Sequence, residues 1–230
     1  LSLGEAAGGD RLSIDDGELL VSAAEGKRAV VLGPGLGRDP VTAEAVRALV
    51  GGSSVPLVLD ADALHPFAGR LRDLRRLEDA KAARPIVLTP HPGEMGRLLG
   101  CDTAAVQADR LGAARRAAAA SGAVVVLKGH RTLVAEPPDA EGETGRVWIN
   151  TTGGAGLATG GTGDVLAGEI GALLAAGWLH GAAGDAGTEQ RGAHALAAAD
   201  VAEHLGDAWR RLSESGHAQQ HPGRKGRADS

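Results

Sequence analysis

Residues 150–168, NTTGGAGLATGGTGDVLAG, form a glycine-dense stretch that leads into an apolar pattern of helical spacing. Glycine adopts positive φ and lets the backbone pass close to a ligand, so the first part of this stretch is predicted to be a loop. A helix that begins at the end of the loop would present unpaired N–H groups and a partial positive charge, which suit a phosphate. The stretch therefore predicts a phosphate-binding loop that includes Gly160, Gly161, Thr162 and Gly163.

Asp164 follows this loop directly and falls in the first turn of the predicted helix. A carboxylate is favoured there by the helix dipole, and it would also stand beside a phosphate bound by the loop. We therefore interpret Asp164 as a candidate catalytic base. The alternative is a tight turn in which Asp164 only helps to start a helix.

The composition narrows the class of protein. The chain has 230 residues, a formal net charge of −5, three Trp, one Phe, no Tyr and a single cysteine, Cys101. An acidic chain with few aromatic residues is poorly suited to nucleic acid, and no apolar run reaches the roughly 20 residues of a membrane span. A single cysteine excludes an intramolecular disulfide. We expect a cytoplasmic protein with one domain over residues 1–212 and a disordered tail over residues 213–230, and we leave a homo-oligomer open.

Short apolar runs alternate with helix-like segments along the chain, which is typical of a parallel sheet covered by helices on both faces. Strands are predicted at residues 29–32, 56–59, 85–88 and 123–127, a hairpin at residues 132–134 and 147–149, and a short strand at residues 19–21. Helices are predicted at residues 41–50, 71–82, 103–120 and 189–205, besides the one after the glycine loop. The fold class predicted is a three-layer α/β/α sandwich with a mostly parallel central sheet.

Glycine or polar motifs follow four of the predicted strands. They are GPGLG at residues 33–37, DAD at 60–62, TPHPGE at 89–94 and KGHRT at 128–132. In open α/β sheets, ligands bind outside the carboxyl ends of the strands. These motifs and the glycine loop are therefore predicted to converge on one crevice.

Each motif also has a plainer structural explanation. GPGLG lacks the spacing of a dinucleotide fingerprint and can be an ordinary turn. Asp60 can bind Mg²⁺ or substrate hydroxyls, whereas Asp62 is more easily explained as a helix cap. Glu94 stands at the start of a predicted helix, where it can be a simple first-turn charge.

His91 and Lys128 offer the most chemistry among these motifs. His91 lies between two prolines, so its backbone is restricted and its imidazole can donate a hydrogen bond or transfer a proton near neutral pH. Lys128 places a cation at a strand end next to a glycine, although most lysines are simply solvated. Residues 130–132 continue into the next strand and could frame a nucleotide.

Taken together, these motifs resemble those of the ADP/ATP-dependent NAD(P)H-hydrate dehydratases, which belong to the ribokinase-like superfamily. The set is VVLGPGLG, LVLDADAL, VLTPHPGEMGRLLG, VVVLKGHRT and ATGGTGDVLAG, and it covers roughly residues 29–205. The resemblance implies a ribokinase-like fold and a repair enzyme that uses ADP or ATP with Mg²⁺. Such an enzyme phosphorylates the hydroxyl of hydrated NADH or NADPH and then eliminates phosphate. Relative to the family, we expect the chain to lack an N-terminal segment.

The resemblance also implies roles for individual residues. Asp164 is the expected catalytic base, and it would contact the hydrate together with His91 and with Gly35 and Gly37 of the GPGLG turn. The expected nucleotide-binding residues are Lys128, Gly129, His130, Arg131, Thr132, Gly160, Gly161, Thr162 and Gly163. The metal ligands are unknown, with Asp60 and Glu94 as candidates.

Two other functions stay open on the sequence. A ribokinase-like kinase for a small vitamin precursor would share the glycine loop and the base. A nucleotide-binding fragment without turnover would be compatible with the expected loss of an N-terminal segment. The sequence does not distinguish ADP from ATP, or hydrated NADH from hydrated NADPH.

Overall fold

The computed structural model describes residues 16–79, 84–138, 144–191, 203–205, 207 and 210. The chain divides into two compact units, and the first contains the described residues 16–25, 29–79, 84–138 and 144–171. All the candidate site residues belong to this first unit. The expected tail at residues 213–230 lies outside the described residues, and the single domain over residues 1–212 stays a prediction.

A six-stranded sheet forms the centre of the first unit, with its strands side by side in chain order. They are β1 (Val30–Leu32), β2 (Leu57–Leu59), β3 (Ile86–Leu88), β4 (Val124–Leu127), β5 (Leu133–Ala135) and β6 (Val147–Ile149). Strands β1 to β4 pair in parallel, whereas β5 and β6 are antiparallel to their neighbours. The mostly parallel sheet and the hairpin at one edge are therefore confirmed.

Seven α-helices are present among the described residues. They are α1 (Asp16–Ala24), α2 (Pro40–Gly52), α3 (Leu71–Asp79), α4 (Pro92–Leu99), α5 (Thr103–Ala108), α6 (Arg110–Ser121) and α7 (Thr162–Arg191), and two short 3₁₀ helices cover Ala61–Phe67 and Ala155–Leu157. None of the described helices is long and apolar enough to cross a membrane.

The two faces of the sheet are covered by different helices. On one face, Leu59, Leu88 and Leu127 join a continuous core with residues of α2, α3, α4 and α6. On the other face, α7 packs so closely that a Cβ on Gly171 would collide with the side chain of Val31. Helices therefore flank the sheet on both sides, as the three-layer prediction required.

The strand predicted at residues 19–21 is wrong, because this segment lies inside helix α1. The helix faces α2, where Gly17 and Val21 approach Ala48 and Gly52. A run of three apolar residues is too short to distinguish the periodicity of a helix from that of a strand.

The single long helix predicted at residues 103–120 is also wrong, because the chain breaks at Asp109 between α5 and α6. The carboxylate of Asp109 accepts a hydrogen bond from the backbone N–H of Gly112 at 2.8 Å, so it caps a new helix. The helix predicted at residues 71–82 is described only as far as Asp79, and most of the helix predicted at residues 189–205 lies outside the described residues.

Candidate functional site

The carboxyl ends of β2 and β4 bring Asp60 and Lys128 together as an ion pair. Lys128 Nζ donates to Asp60 Oδ1 at 2.7 Å, and the Asp60 residue is only 1% exposed. The hydroxyl of Thr89, which follows β3, donates to the same oxygen at 2.7 Å. A buried carboxylate is tolerated when it is paired and hydrogen-bonded in this way, so the orientation of Asp60 is fixed.

Glu94 and His91 begin helix α4 beside this ion pair. Glu94 Oε2 is 3.9 Å from Lys128 Nζ and accepts a hydrogen bond from the backbone N–H of His91 at 2.8 Å. His91 Nδ1 accepts hydrogen bonds from the backbone N–H groups of Gly93 at 3.0 Å and Glu94 at 3.3 Å. Because Nδ1 is an acceptor, Nε2 is the nitrogen assigned as donor, and it lies 3.5 Å from Glu94 Oε1 on a side chain that is half exposed.

The glycine loop reaches the same place at the start of α7. A Cβ on Gly163 would lie 3.2 Å from Lys128 Nζ and 3.8 Å from Asp60 Oδ2, so the backbone here touches the ion pair. The entry to the helix is marked by a hydrogen bond from Val165 N to Gly161 O at 3.1 Å. The backbone N–H of Gly163 precedes this bond and is one of the unpaired donors of a helix start.

The preceding glycines leave open space in front of the helix. Within the described part of the chain, no heavy atom lies within 4 Å of a Cβ built on Gly160 or Gly161. Gly161 has φ 86°, which favours glycine. The hydroxyl of Thr162 donates to the carbonyls of Leu157 at 2.8 Å and Thr159 at 2.9 Å, so this side chain shapes the loop itself.

Asp164 lies in the first turn of α7, and its side chain is exposed. Its carboxylate makes no hydrogen bond or ion pair with the residues that the structure describes. It differs in this respect from Asp60 and Glu94, whose carboxylates are already engaged. Asp164 is therefore the acidic group of this site that is available to a ligand.

The GPGLG turn is tied to the end of β2. A Cβ on Gly33 would overlap the backbone carbonyl of Asp60, so the two strand ends touch. Asp62 accepts hydrogen bonds from the backbone N–H of Gly37 at 3.1 Å and from Arg38 Nε at 2.6 Å. The interpretation of Asp62 as a helix cap is wrong, because its carboxylate holds this turn. Gly35 has φ 77°, and a Cβ there would meet nothing within 4 Å among the described residues.

The KGHRT turn is held by Arg110, which the sequence analysis did not single out. Its guanidinium donates to the carbonyl of His130 and, at 3.3 Å, to the carbonyl of Leu127. A Cβ on Gly129 would lie 3.1 Å from this guanidinium, so the absence of a side chain at Gly129 leaves room for Arg110. The hydroxyl of Thr132 donates to the Gly129 carbonyl at 3.1 Å. Arg110 comes directly after Asp109, which caps α6. The local sequence around Arg110 does not indicate that its side chain contacts a distant turn.

A small cleft opens next to Glu94, between the DAD segment and helix α4. Arg38, His65 and Arg97 contribute cationic or ionisable groups to its lining, and Leu64 contributes an apolar wall. His65 had no assigned role in the sequence analysis. The cleft lies on the side of the site that carries His91 and the GPGLG turn.

No cluster of three His, Cys, Asp or Glu side chains that could hold a metal ion exists among the described residues. The two candidate ligands, Asp60 and Glu94, flank the ammonium of Lys128. A positive charge therefore already occupies the space between these two carboxylates.

Comparison with known proteins identifies the family. The model of the NAD(P)H-hydrate dehydratase family matches residues 7–214. The chain belongs to the NAD(P)H-hydrate dehydratase family. An ADP-dependent (S)-NAD(P)H-hydrate dehydratase from Neisseria meningitidis is 45% identical over 190 residues, which cover 76% of this chain and 60% of that protein. A bifunctional NAD(P)H-hydrate repair enzyme from Moorella thermoacetica is 44% identical over 196 residues, which cover 80% of this chain and 35% of that protein. The chain thus spans less than two thirds of the length of either relative.

Solved structures of the same family agree with the fold. The ADP/ATP-dependent NAD(P)H-hydrate dehydratase from Bacillus subtilis, co-crystallised with ATP and Mg²⁺, superimposes with a TM-score of 0.54 at 33% identity. The match covers 84% of this chain and 69% of that one. A ribokinase-like superfamily protein from Enterococcus faecalis gives a TM-score of 0.53 at 25% identity and covers 88% of this chain and 68% of its own. The ribokinase-like fold and the family resemblance are both confirmed.

Proposed function

We propose that this chain catalyses the ADP-dependent dehydration of hydrated NADH or NADPH, which restores the reduced nicotinamide. The observation that carries the proposal is the contact between Lys128 and the N-terminus of α7, with the unengaged carboxylate of Asp164 one residue further on. One site then combines a cation, unpaired backbone N–H donors and a base. The activity in the names of the relatives agrees with this chemistry.

The nucleotide phosphates would lie in front of α7. A helix N-terminus supplies backbone N–H donors and partial positive charge, and the Lys128 ammonium adds a full positive charge beside Gly163. The open space at Gly160 and Gly161 leaves room for a phosphate against the backbone. The proposed nucleotide-binding set is Lys128, Gly129, His130, Arg131, Thr132, Gly160, Gly161, Thr162 and Gly163.

Asp164 would act as the base. ADP supplies the phosphoryl group that makes the hydroxyl of the hydrate a leaving group. Asp164 takes the hydroxyl proton as the hydroxyl oxygen bonds to phosphorus, and a free carboxylate suits this role better than one held by an ion pair. Breakage of the carbon–oxygen bond, with loss of a proton from the neighbouring ring carbon to solvent, then releases inorganic phosphate and restores the ring double bond.

His91 and the GPGLG turn would contact the hydrate. His91 presents Nε2–H, a hydrogen-bond donor, on a half-exposed side chain fixed at the start of α4. Gly35 and Gly37 lie on a turn that Asp62 holds in place. His91 follows β3, whereas Lys128 follows β4, so we assign these groups to the hydrate rather than to the nucleotide.

Mg²⁺ fits this site as a partner of the nucleotide phosphates. Mg²⁺ is commonly bound by few carboxylates together with phosphate oxygens and water. The described residues offer no three-ligand cluster, and the Asp60 and Glu94 carboxylates flank an ammonium.

The cytoplasmic location expected from the sequence stays part of the proposal, and so does the homo-oligomer that the sequence left open.

The test is a direct assay of the purified chain with hydrated NADH, ADP and Mg²⁺. The absorbance of the reduced nicotinamide should rise, and one AMP should form for each NADH restored. Formation of a phosphorylated alcohol without this rise would indicate a kinase instead. ADP binding without any turnover would support a nucleotide-binding fragment.

A further inference from the structure

Asp60 has no part in the chemistry proposed above, although it is the most deeply buried carboxylate of the site. We propose that Asp60 is a positioning residue: it holds the Lys128 ammonium against the glycine loop, where the ammonium meets the terminal phosphate of an adenine nucleotide. The inference rests on the proposed function and specifies how the phosphate site is organised.

Lys128 needs such a partner because its side chain is long and flexible. Its ammonium sits on four rotatable methylene groups, and ordering them costs conformational entropy. The bond of 2.7 Å to Asp60 fixes the ammonium at one point, beside the backbone of Gly163. An ammonium carries three N–H donors, and Asp60 uses one of them. Glu94, at 3.9 Å, is beyond hydrogen-bond distance, so two donors remain for phosphate oxygens.

Asp60 itself is held rigidly by the ends of three strands. Its backbone N–H donates to Leu32 O of β1 at 3.0 Å, and its carboxylate accepts from the hydroxyl of Thr89 after β3 at 2.7 Å. The backbone of Gly33 packs directly on its carbonyl. The aspartate is thus the fixed member of the pair, and the lysine side chain is the member whose position it decides.

Burial also explains why a carboxylate can lie so near a phosphate site. Asp60 is 1% exposed, whereas the Lys128 side chain is 20% exposed. The ammonium is therefore the part of the pair that solvent and ligands reach, and it covers the negative charge behind it. A phosphate would meet a positive group in spite of the nearby aspartate.

The test is calorimetric measurement of ADP affinity in four proteins: the wild type, Asp60→Asn, Lys128→Met and the double variant. Asparagine keeps the shape of the side chain and its bond from Thr89 but carries no negative charge, so it holds the ammonium more weakly. Asp60→Asn should weaken ADP binding about tenfold, because the Lys128 ammonium is no longer held where it can form a charge-assisted bond to phosphate. The same change should have almost no effect in the Lys128→Met background, since Asp60 acts only through Lys128.

A second measurement keeps the test decisive if Lys128→Met does not fold. Acetylation of Lys128 by acetic anhydride, resolved by mass spectrometry, should be faster in Asp60→Asn than in the wild type, because the ion pair no longer keeps the side chain in its unreactive charged form. ADP should protect Lys128 strongly in the wild type and weakly in Asp60→Asn. Equal protection in both proteins would overturn the proposal.

The matched control is Asp73→Asn, which removes the same charge from an ion pair with Arg70 on the surface of α3. It should leave ADP affinity and the acetylation of Lys128 unchanged. If Asp60→Asn lowers only the melting temperature, or tightens ADP binding, the positioning role is refuted while the proposed function stands. A folded wild type that does not bind ADP would refute both.

Discussion

Ala61 separates two aspartates whose carboxylates bind different partners in the site. Asp60 pairs with Lys128 near the glycine loop, whereas Asp62 holds Gly37 of the GPGLG turn. Ala61 has φ 46°, a left-handed conformation that is uncommon for a residue with a side chain. This backbone conformation lets neighbouring carboxylates reach different partners, and such unusual conformations cluster at functional sites.

Gly33 and Gly35 provide a matched pair of substitutions at the residue scale. Gly33→Ala should lower the free energy of unfolding by about 3 kcal/mol or more, because its Cβ would overlap the Asp60 carbonyl and its φ of 147° disfavours a side chain. Gly35→Ala faces open space at φ 77° and should cost only about 1–2 kcal/mol. Urea unfolding measures both values. Similar losses in the two variants would mean that the contact between the strand ends is not tight.

Helix starts shape this site at the element scale. His91 caps α4 with its Nδ1, Asp39 caps α2 with its carboxylate, and Asp109 caps α6. The caps connect sequence to function, because α4 begins inside the TPHPGE motif and α2 begins three residues after the GPGLG motif. A cap residue in such a place can stabilise a helix and contact a ligand at once.

His91 can be tested for these two roles separately. His91→Asn keeps a good N-cap but removes the Nε2–H donor, so it should raise KM for the hydrate and leave the melting temperature nearly unchanged. His91→Ala removes both, and it should also cost about 1 kcal/mol of stability. The KM for ADP should change little in either variant. If KM for ADP rose more than KM for the hydrate, His91 would belong to the nucleotide side of the site.

The aspartate caps predict how stability depends on pH. Hydrogen bonds from the backbone N–H and the hydroxyl of Thr42 lower the pKa of Asp39, and a bond from the backbone N–H of Gly112 lowers the pKa of Asp109. These groups therefore contribute stability above the unfolded-state pKa of about 3.9, and the contribution is lost as pH falls through the lower folded-state values.

Thermal unfolding at pH 7 and at about pH 3 measures this effect. Between pH 7 and the acid pH, the wild type should lose more stability than an Asp39→Asn, Asp109→Asn double variant, because asparagine caps do not titrate. Equal losses in the two proteins would show that other groups control the acid dependence.

The same elements show what sequence patterns can and cannot predict. Buried strands such as β2 and β3 are predicted correctly because they are continuous apolar runs that end in glycine or polar motifs. The break at Asp109 was missed, because an alanine-rich segment favours helix on either side and the cap depends on one side-chain bond. Helix α1 was missed because its short apolar run packs on α2, a contact that local sequence does not reveal.

At the scale of the whole molecule, the parallel sheet explains why the motifs meet. The carboxyl ends of parallel strands share one edge, so the sequence predicts that Asp60, the TPHPGE motif and Lys128 lie together, and the structure places them in contact. The sequence did not predict the ion pair itself, because Asp60 and Lys128 are 68 residues apart and no local pattern links them. The roles of Asp62 and Arg110 were missed for the same reason.

The proposed function assigns two groups of residues in this crevice to two different ligands. In the proposed function, Lys128 and the glycine loop bind the nucleotide, whereas His91 and the GPGLG turn contact the hydrate. Asp164 follows the loop directly, so in the proposed mechanism a single helix start supplies both the phosphate donors and the proton acceptor.

The most direct test is therefore the rate at which Asp164→Asn restores NADH from its hydrate with ADP and Mg²⁺, relative to the wild type. Asparagine keeps the shape of the side chain and cannot accept the proton, so kcat should fall by about 10²- to 10⁴-fold. ADP affinity should be retained or improved, and the melting temperature should be nearly unchanged, because the carboxylate has no partner among the described residues. A folded Asp164→Asn protein with near-normal turnover would contradict the account.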